Sequence, residues 1–424
     1  MSDFWLDLLP ALAAALSVLL MGVCGVRLLV RLTRVLRGQE RVDALANDAP
    51  AGMPPVRALL LAALAALLSR AAVDLLAWGM MRAMGIPGGF SASLDALWNH
   101  WDTRHYIGIA QEGYTSVGDE RLRLVFFPLY PLLMRLLSPL TGGSVFLAGM
   151  LISRLCAMGC AALLYELAYR TYGAREARLA VAYFLLSPMS VFLNCCYTEA
   201  LFLLLTLGAM VLLRRGHPWL AALCGMGSAL TRMPGVIVAG LMLIALLAEL
   251  PRRGPDVRRI AGCAGQMLLV FAGLLIYWAI NWAVTGDPLM YMTYQKENWF
   301  QEPGTFWGST ANTAYYALTD FGQDDWFFSW GAQLAAMLAV YVLLALRADA
   351  LPFDLAAYSF VYVAVVLSPT WLLSGPRYLY ALAPLPLLLA RMTESRRAHA
   401  VLLALSAVLL VVFTFGYTIA VDVL

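Results

Sequence analysis

Residues 97–114, LWNHWDTRHYIGIAQEGY, bring together side chains that can move protons: Asp102, with Trp101 and Arg104 beside it and His100 and His105 close by. A carboxylate in this setting can take a proton from an incoming hydroxyl group. Arg104, two residues later, could hold Asp102 ionised or pair with a phosphate. His100 and His105 offer alternative bases or hydrogen-bond donors. Asp102, His105 and Glu112 could together approach a divalent cation, but their spacing fits no strong metal-binding pattern, and no cofactor is called for. Read as one helix, the stretch puts Trp98, Trp101 and His105 near one face with Asp102 beside them.

A second set of charges stands inside apolar runs: Arg70, Asp74, Arg154, Glu199, Arg232 and Arg377. In a bilayer each costs about 2.5–3.5 kcal/mol on insertion scales, so each needs a partner or a task. Arg70 and Asp74, four residues apart, share a helix face and read as an internal ion pair. Arg232 stands at the break TRMPG and Arg377 at the helix opening SGPR. A guanidinium at such a position offers rigid donors suited to phosphate, helped by free backbone N–H groups. The competing reading of Arg377 is a side chain snorkelling to lipid headgroups.

The elements that must position these residues follow from composition. Apolar residues make up 62% of the 424 and mean hydropathy is +0.76. No soluble core could hide so much apolar surface. Many runs approach the ~20 residues that cross a bilayer, and they are unbroken rather than alternating, which excludes a β-barrel. The fold class is therefore an all-α polytopic membrane protein. The apolar segments are 8–30, 57–80, 145–169, 178–196, 198–213, 218–231, 234–250, 260–283, 328–346, 353–373, 377–391 and 400–422, about twelve transmembrane or partly spanning helices. Segments 218–231 and 234–250 are short and read as a broken pair.

Arginine clusters follow alternate segments: Arg27, Arg31, Arg34, Arg37 and Arg41 after the first, Arg170, Arg175 and Arg178 after the third, Arg214 and Arg215 after the fifth. Arg252, Arg253, Arg258 and Arg259, then Arg347, then Arg391, Arg396 and Arg397 continue the pattern. The positive-inside rule then places both termini outside, with two long external loops, 82–144 and 284–327. Asp3 and Asp7 open the chain instead of basic residues, so the first apolar run reads as a retained helix and not a signal peptide. No Asn-x-Ser/Thr sequon occurs, and Lys296 is the single lysine; the expected location is a bacterial plasma membrane. The seven cysteines show no C-x-x-C or zinc spacing and read as packing residues. The tryptophans and tyrosines of 97–114 read as an aromatic belt at the interface, which leaves Asp102 unexplained. The Pro-rich run VFFPLYPLLMRLLSPL dips into the interface or lies along it.

The ordered set WDTRHYIGIAQEGY, FFPLYPLL, SPMSVFLNCCYTEALFLLL, ALTRMPGVIV and SGPRYLYALAPL resembles the PIG-V-like mannosyltransferases, multi-pass enzymes of the GT-C glycosyltransferase class. The resemblance covers roughly residues 57–395. Residues 1–56 look like an extra transmembrane helix and an Arg-rich cytoplasmic loop preceding a catalytic membrane domain, 57–424. A departure follows EGY: the family's Glu and aromatic ahead of F-F-P are replaced by TSVGDERLRLV, where Glu120 could stand in for the Glu. The resemblance implies a GT-C-type helical bundle and a polyprenyl- or dolichyl-phosphate sugar as donor. Transfer then occurs on the non-cytoplasmic side, with inversion, to a glycan, lipid or protein acceptor. Asp102 is then the general base and Arg232, Arg377 and Arg154 bind the donor phosphate. Trp101, Arg104, His105, Tyr130, Tyr197, Glu199 and Tyr378 bind substrate. The alternative from another class is a transporter or flippase of a lipid-linked saccharide. It shares the intramembrane arginines, but the chain shows none of the internal repeats common in transporters.

Overall fold

The structure, a computed structural model, describes residues 3–40, 42 and 52–420. Arg41, most of the Arg-rich loop before residue 56, and residues 421–422 of the last apolar segment lie outside them. Among the described residues the α-helices in chain order are α1 (Asp3–Leu36), α2 (Val56–Ala83), α3 (Phe90–Trp98), α4 (Asp102–Glu112), α5 (Leu129–Leu137) and α6 (Val145–Tyr172). There follow α7 (Ala174–Leu186), α8 (Glu199–Arg214), α9 (Pro218–Thr231), α10 (Val238–Arg253), α11 (Val257–Thr285) and α12 (Met290–Trp299). The last are α13 (Phe306–Thr319), α14 (Ala332–Arg347), α15 (Phe353–Val366), α16 (Gly375–Tyr380), α17 (Leu385–Ala390) and α18 (Arg396–Thr418). The all-α polytopic class is borne out. Among the described residues, seven helical stretches are long and apolar enough to cross a membrane, or eight if the bent pair Asp119–Val125 and Leu129–Thr141 counts as one.

Not every apolar run becomes a full span, and proline explains much of the difference. The expected segment 178–196 stops at Leu186, because Ser187-Pro188 ends α7 and a 3-10 stretch, Pro188–Leu193, takes over. Likewise α15 covers only Phe353–Val366 of the expected 353–373, just ahead of Ser368-Pro369, and 377–391 divides into α16 and α17 around Pro384. The Pro-rich run bends by 108° at Phe126–Pro128, between a 3-10 stretch and α5. The long connections are themselves structured. α12 packs on the 3-10 stretch Asp119–Val125, and α13 packs along α1.

The Arg-rich ends gather at one end of the molecule. Arg27 donates to the Ala345 carbonyl and Arg347 to the Arg391 carbonyl. Arg175 pairs with Glu394 at 3.0 Å, and Arg170 reaches the Arg214 carbonyl at 3.3 Å. α8 ends at that pole, and α9 runs back from it. Glu199 and Arg232 therefore lie one helix length away, about 21–24 Å at 1.5 Å per residue, towards the opposite pole. In the core, α6 packs on α2, α7 and α8, and α9 lies between α8 and α11.

Candidate active site

Four charged side chains meet at that opposite pole, and each is delivered by a helix end or break. The expected single helix over 97–114 is divided. α3 ends at Trp98, and Asp102 opens α4 after Trp101 adopts a left-handed φ of 44°. Such a backbone is uncommon for a bulky residue. Asp102 thereby stands in the first turn of α4, where the helix dipole favours a carboxylate. Glu199 occupies the same position in α8. Arg232 is the extended residue between α9 and the 3-10 turn Met233–Ile237. The turn is tight: a Cβ on Gly235 would lie 2.2 Å from the Ser228 carbonyl carbon, so only glycine lets this segment rest on the α9 backbone. Arg377 sits in α16, whose N1/N2 proline fits a helix start.

Arg377 Nη1 donates to Asp102 Oδ2 at 2.7 Å, and its Nε lies 3.5 Å from Glu199 Oε1. The same Glu199 oxygen accepts from Arg232 Nη1, which also approaches Thr198 Oγ1 at 3.4 Å. Glu199 is 1% exposed in its side chain, and its Oε2 has no protein donor. Aromatic rings hold the two guanidinium groups in place. Arg377 lies 5.0 Å from the Tyr197 ring centre and 5.4 Å from those of Phe192 and Tyr378, and Arg232 lies 5.0 Å from Tyr378. Snorkelling therefore does not describe Arg377, which is directed inward to two carboxylates.

All four line one cavity of about 770 Å³, within the size range of small-molecule sites. Trp101, His105, Tyr197 and Tyr378 line it as well. His105 stacks on Phe126 with ring centres 4.7 Å apart. Burial pushes its imidazole below the usual 6.5, an effect opposed by Asp102 and added to by Arg123, so the ring is neutral at neutral pH.

Other expected residues lie elsewhere. Arg104 does not pair with Asp102; it is exposed and donates to the Asn99 carbonyl, because the start of α4 turns the two side chains apart. Tyr130 is fully buried and ties α5 to α6 through the Gly149 carbonyl and Ser153. Arg154 is absent from the cavity lining and pairs with Asp74 at 2.6 Å. That takes the place of the expected Arg70–Asp74 pair, since Asn194 stands between Arg70 and the Asp74 carboxylate. Glu112 pairs with the Arg123 guanidinium, and Glu120 lies within 4.0 Å of the same arginine. Among the described residues no three His, Cys, Asp or Glu side chains converge as metal ligands. Nor are the rings of 97–114 an interfacial belt: Trp98 is fully buried and Trp101 meets Tyr417 edge-on at 4.8 Å.

The sequence reading missed the part of the lining that comes from α12 and the segment after it. Gln295, Lys296, Trp299, Gln301 and Glu302 belong to it, and Lys296 pairs with Glu302 at 3.0 Å. The signal present was the lone lysine in a loop rich in aromatic and acidic residues.

Residues 65–251 match the family described as mannosyltransferase (PIG-V). The resemblance carried by the motifs is borne out. The matched region holds Asp102, Glu199 and Arg232 and stops before Arg377. Curated relatives include GPI alpha-1,6-mannosyltransferase 2 of Cricetulus griseus, 33% identical over 171 residues, which are 38% of this chain and 32% of the relative. The Homo sapiens protein of the same name is 33% identical over 169 residues, with the same shares. The chain thus spans about a third of the length of the curated relatives it matches. The crystal structure of ArnT from Cupriavidus metallidurans bound to undecaprenyl phosphate aligns with a TM-score of 0.47 and 15% identity, over 83% of this chain and 76% of that one.

Proposed function

We propose that the chain is a GT-C-type membrane glycosyltransferase that moves a hexose, mannose by its family, from a polyprenyl-phosphate donor to an acceptor hydroxyl. The observation that carries this reading is the Asp102–Arg377–Glu199–Arg232 constellation within one cavity. It pairs an acceptor-activating carboxylate with two cations suited to a phosphate. Asp102 removes the proton of the acceptor hydroxyl. The acceptor oxygen attacks the anomeric carbon from the face opposite the phosphate. The bond between that carbon and the phosphate oxygen breaks, and its electron pair leaves with the lipid phosphate. Arg232 and Arg377 stabilise the charge that develops there. Direct displacement inverts the anomeric configuration. A phosphate leaving group needs no proton at neutral pH, so the acid partner of a glycosidase has no counterpart here. The buried Oε2 of Glu199 is free to accept a hydroxyl from the bound sugar.

The charge distribution supports the sidedness of this reading. The Arg-rich pole is cytoplasmic by the positive-inside rule, so the cavity at the other pole opens outside, in a bacterial plasma membrane. Acceptors of glycan, lipid or protein type all offer the required hydroxyl. A proteoliposome assay separates this reading from a transporter or flippase. With a radiolabelled polyprenyl-phosphate hexose, the expected result is label on the acceptor without net movement of lipid-linked saccharide. Movement of intact donor without transfer would favour the transporter.

A further inference from the structure

The geometry points to a second anion site, separate from the catalytic cavity: a crevice at Arg154 and Asp74 that takes the headgroup of an anionic glycerophospholipid from the surrounding bilayer. The crevice, about 300 Å³, is lined by Leu67, Ala71, Asp74, Leu75, Phe90 and Arg154. Leu67 and Leu75 are exposed on α2, a membrane span, so the crevice opens towards lipid and not water.

Charge balance identifies the occupant. Asp74 uses Oδ2 on Arg154 at 2.6 Å and Oδ1 on Asn194 at 2.7 Å. Arg70, fully buried behind it, is served among the described residues only by neutral acceptors: the Ser190 and Leu185 carbonyls, Asn194 Oδ1 and the hydroxyls of Ser69 and Ser190. Two guanidinium groups thus share one carboxylate, leaving one positive charge uncompensated within the span. Arg154 is the member that can reach a counter-ion. Its side chain is 24% exposed, into the crevice, and among the described residues Asp74 is its one ion-pair partner. A guanidinium facing acyl chains is costly, and a phosphate oxygen removes that cost while using the free donors.

Depth agrees with a headgroup. Asp74 and Arg154 each stand nine residues from the helix end at the cavity pole, α2 ending at Ala83 and α6 starting at Val145. That is roughly 14 Å along the axis at 1.5 Å per residue. Helices of 28 residues extend about 42 Å, some 12 Å more than the hydrocarbon layer. The pair therefore sits about 8 Å inside the boundary of that leaflet, within reach of a snorkelling arginine and a drawn-in phosphate. Asn194, which donates to Asp74 at 2.7 Å, lies three residues before cavity-lining Tyr197 in the sequence.

The test is native mass spectrometry of the full chain from mixed micelles, titrated with phosphatidylglycerol or phosphatidylcholine. Wild-type protein should retain one phosphatidylglycerol at least tenfold more strongly than phosphatidylcholine. Arg154→Gln leaves Arg70 and Asp74 balanced on one helix and should lose that preference. Leu75→Trp keeps every charge but fills the crevice, and should lose retention while remaining folded. Asp102→Asn, in the other cavity, should retain the lipid as wild type does. Equal retention by wild type, Arg154→Gln and Leu75→Trp, or equal binding of the two lipids by wild type, would overturn the assignment. So would displacement of the lipid by polyprenyl phosphate in the Asp102→Asn and wild-type proteins alike, which would make the crevice a donor site.

Discussion

At the scale of the residue, the candidate base is presented by backbone as much as by side chain. Trp101 at a positive φ carries strain of order 1–3 kcal/mol, and its ring packs on Tyr417. Asp102 is thereby turned to Arg377 and away from Arg104. His105, three residues on, gives a prediction in pH. Its imidazole is held below the usual 6.5, chiefly by burial. Just below pH 6.5 the unfolded chain therefore binds more protons than the folded one, and this group's contribution destabilises the fold as pH falls. Thermal unfolding in detergent should show wild type losing more stability between about pH 6.5 and 5 than His105→Gln does. Identical pH profiles would remove His105 from the titration. How far this site was legible depended on the residue. Asp102 was readable because an aromatic belt leaves its carboxylate unexplained, and Glu199, Arg232 and Arg377 because a charge in an apolar run demands a purpose. Arg154 carried the same signal but went to another site, because insertion cost says that a partner exists and not which one. Arg104 was misassigned because the break at residues 99–101 was invisible to helical spacing.

At the scale of the element, the site is made from helix ends, where backbone donors are free and chain direction changes. The TRMPG break shows how narrow the tolerance is. Gly235 lies against the α9 backbone, with the Ala229 nitrogen 2.3 Å from where a Cβ would be. Gly235→Ala must push the 3-10 turn off α9, at about 1–3 kcal/mol, as for other overpacked sites. Because Arg232 immediately precedes the turn, the same displacement should weaken polyprenyl-phosphate binding. The expected outcome is a lower melting temperature together with at least tenfold weaker phosphate binding by calorimetry. Unchanged affinity in a destabilised protein would separate the break from phosphate recognition. Long uniform helices were readable from the sequence: α2, α6 and α11 fall within a few residues of their expected bounds. The shortened α7 and α15 were not, because hydropathy continues through Ser-Pro where hydrogen bonding does not.

At the scale of the whole molecule, polarity of charge organises function. Contacts among α1, α6, α8, α14 and the segment after α17 bring the arginine clusters to one pole. The two long connections meet over the other pole, where residues 101–106 and 291–303 both contribute to the cavity lining and His105 meets Trp299 edge-on at 6.2 Å. The alternation of arginines carried the topology in the sequence; closure of the second connection over the site was not readable, since it depends on α12 packing against the 3-10 stretch Asp119–Val125. Catalysis in this account requires the assembled cavity, in which three distant parts of the chain meet: Asp102 acts on the acceptor hydroxyl, and Arg232 and Arg377 on the donor phosphate. The most direct test is single-turnover transfer of radiolabelled hexose from a polyprenyl-phosphate donor by purified, reconstituted protein, comparing wild type with Asp102→Asn. Loss of the base should slow transfer by about 10²–10⁴-fold while donor binding and the melting temperature stay close to wild type. Near-wild-type turnover in Asp102→Asn would contradict the account.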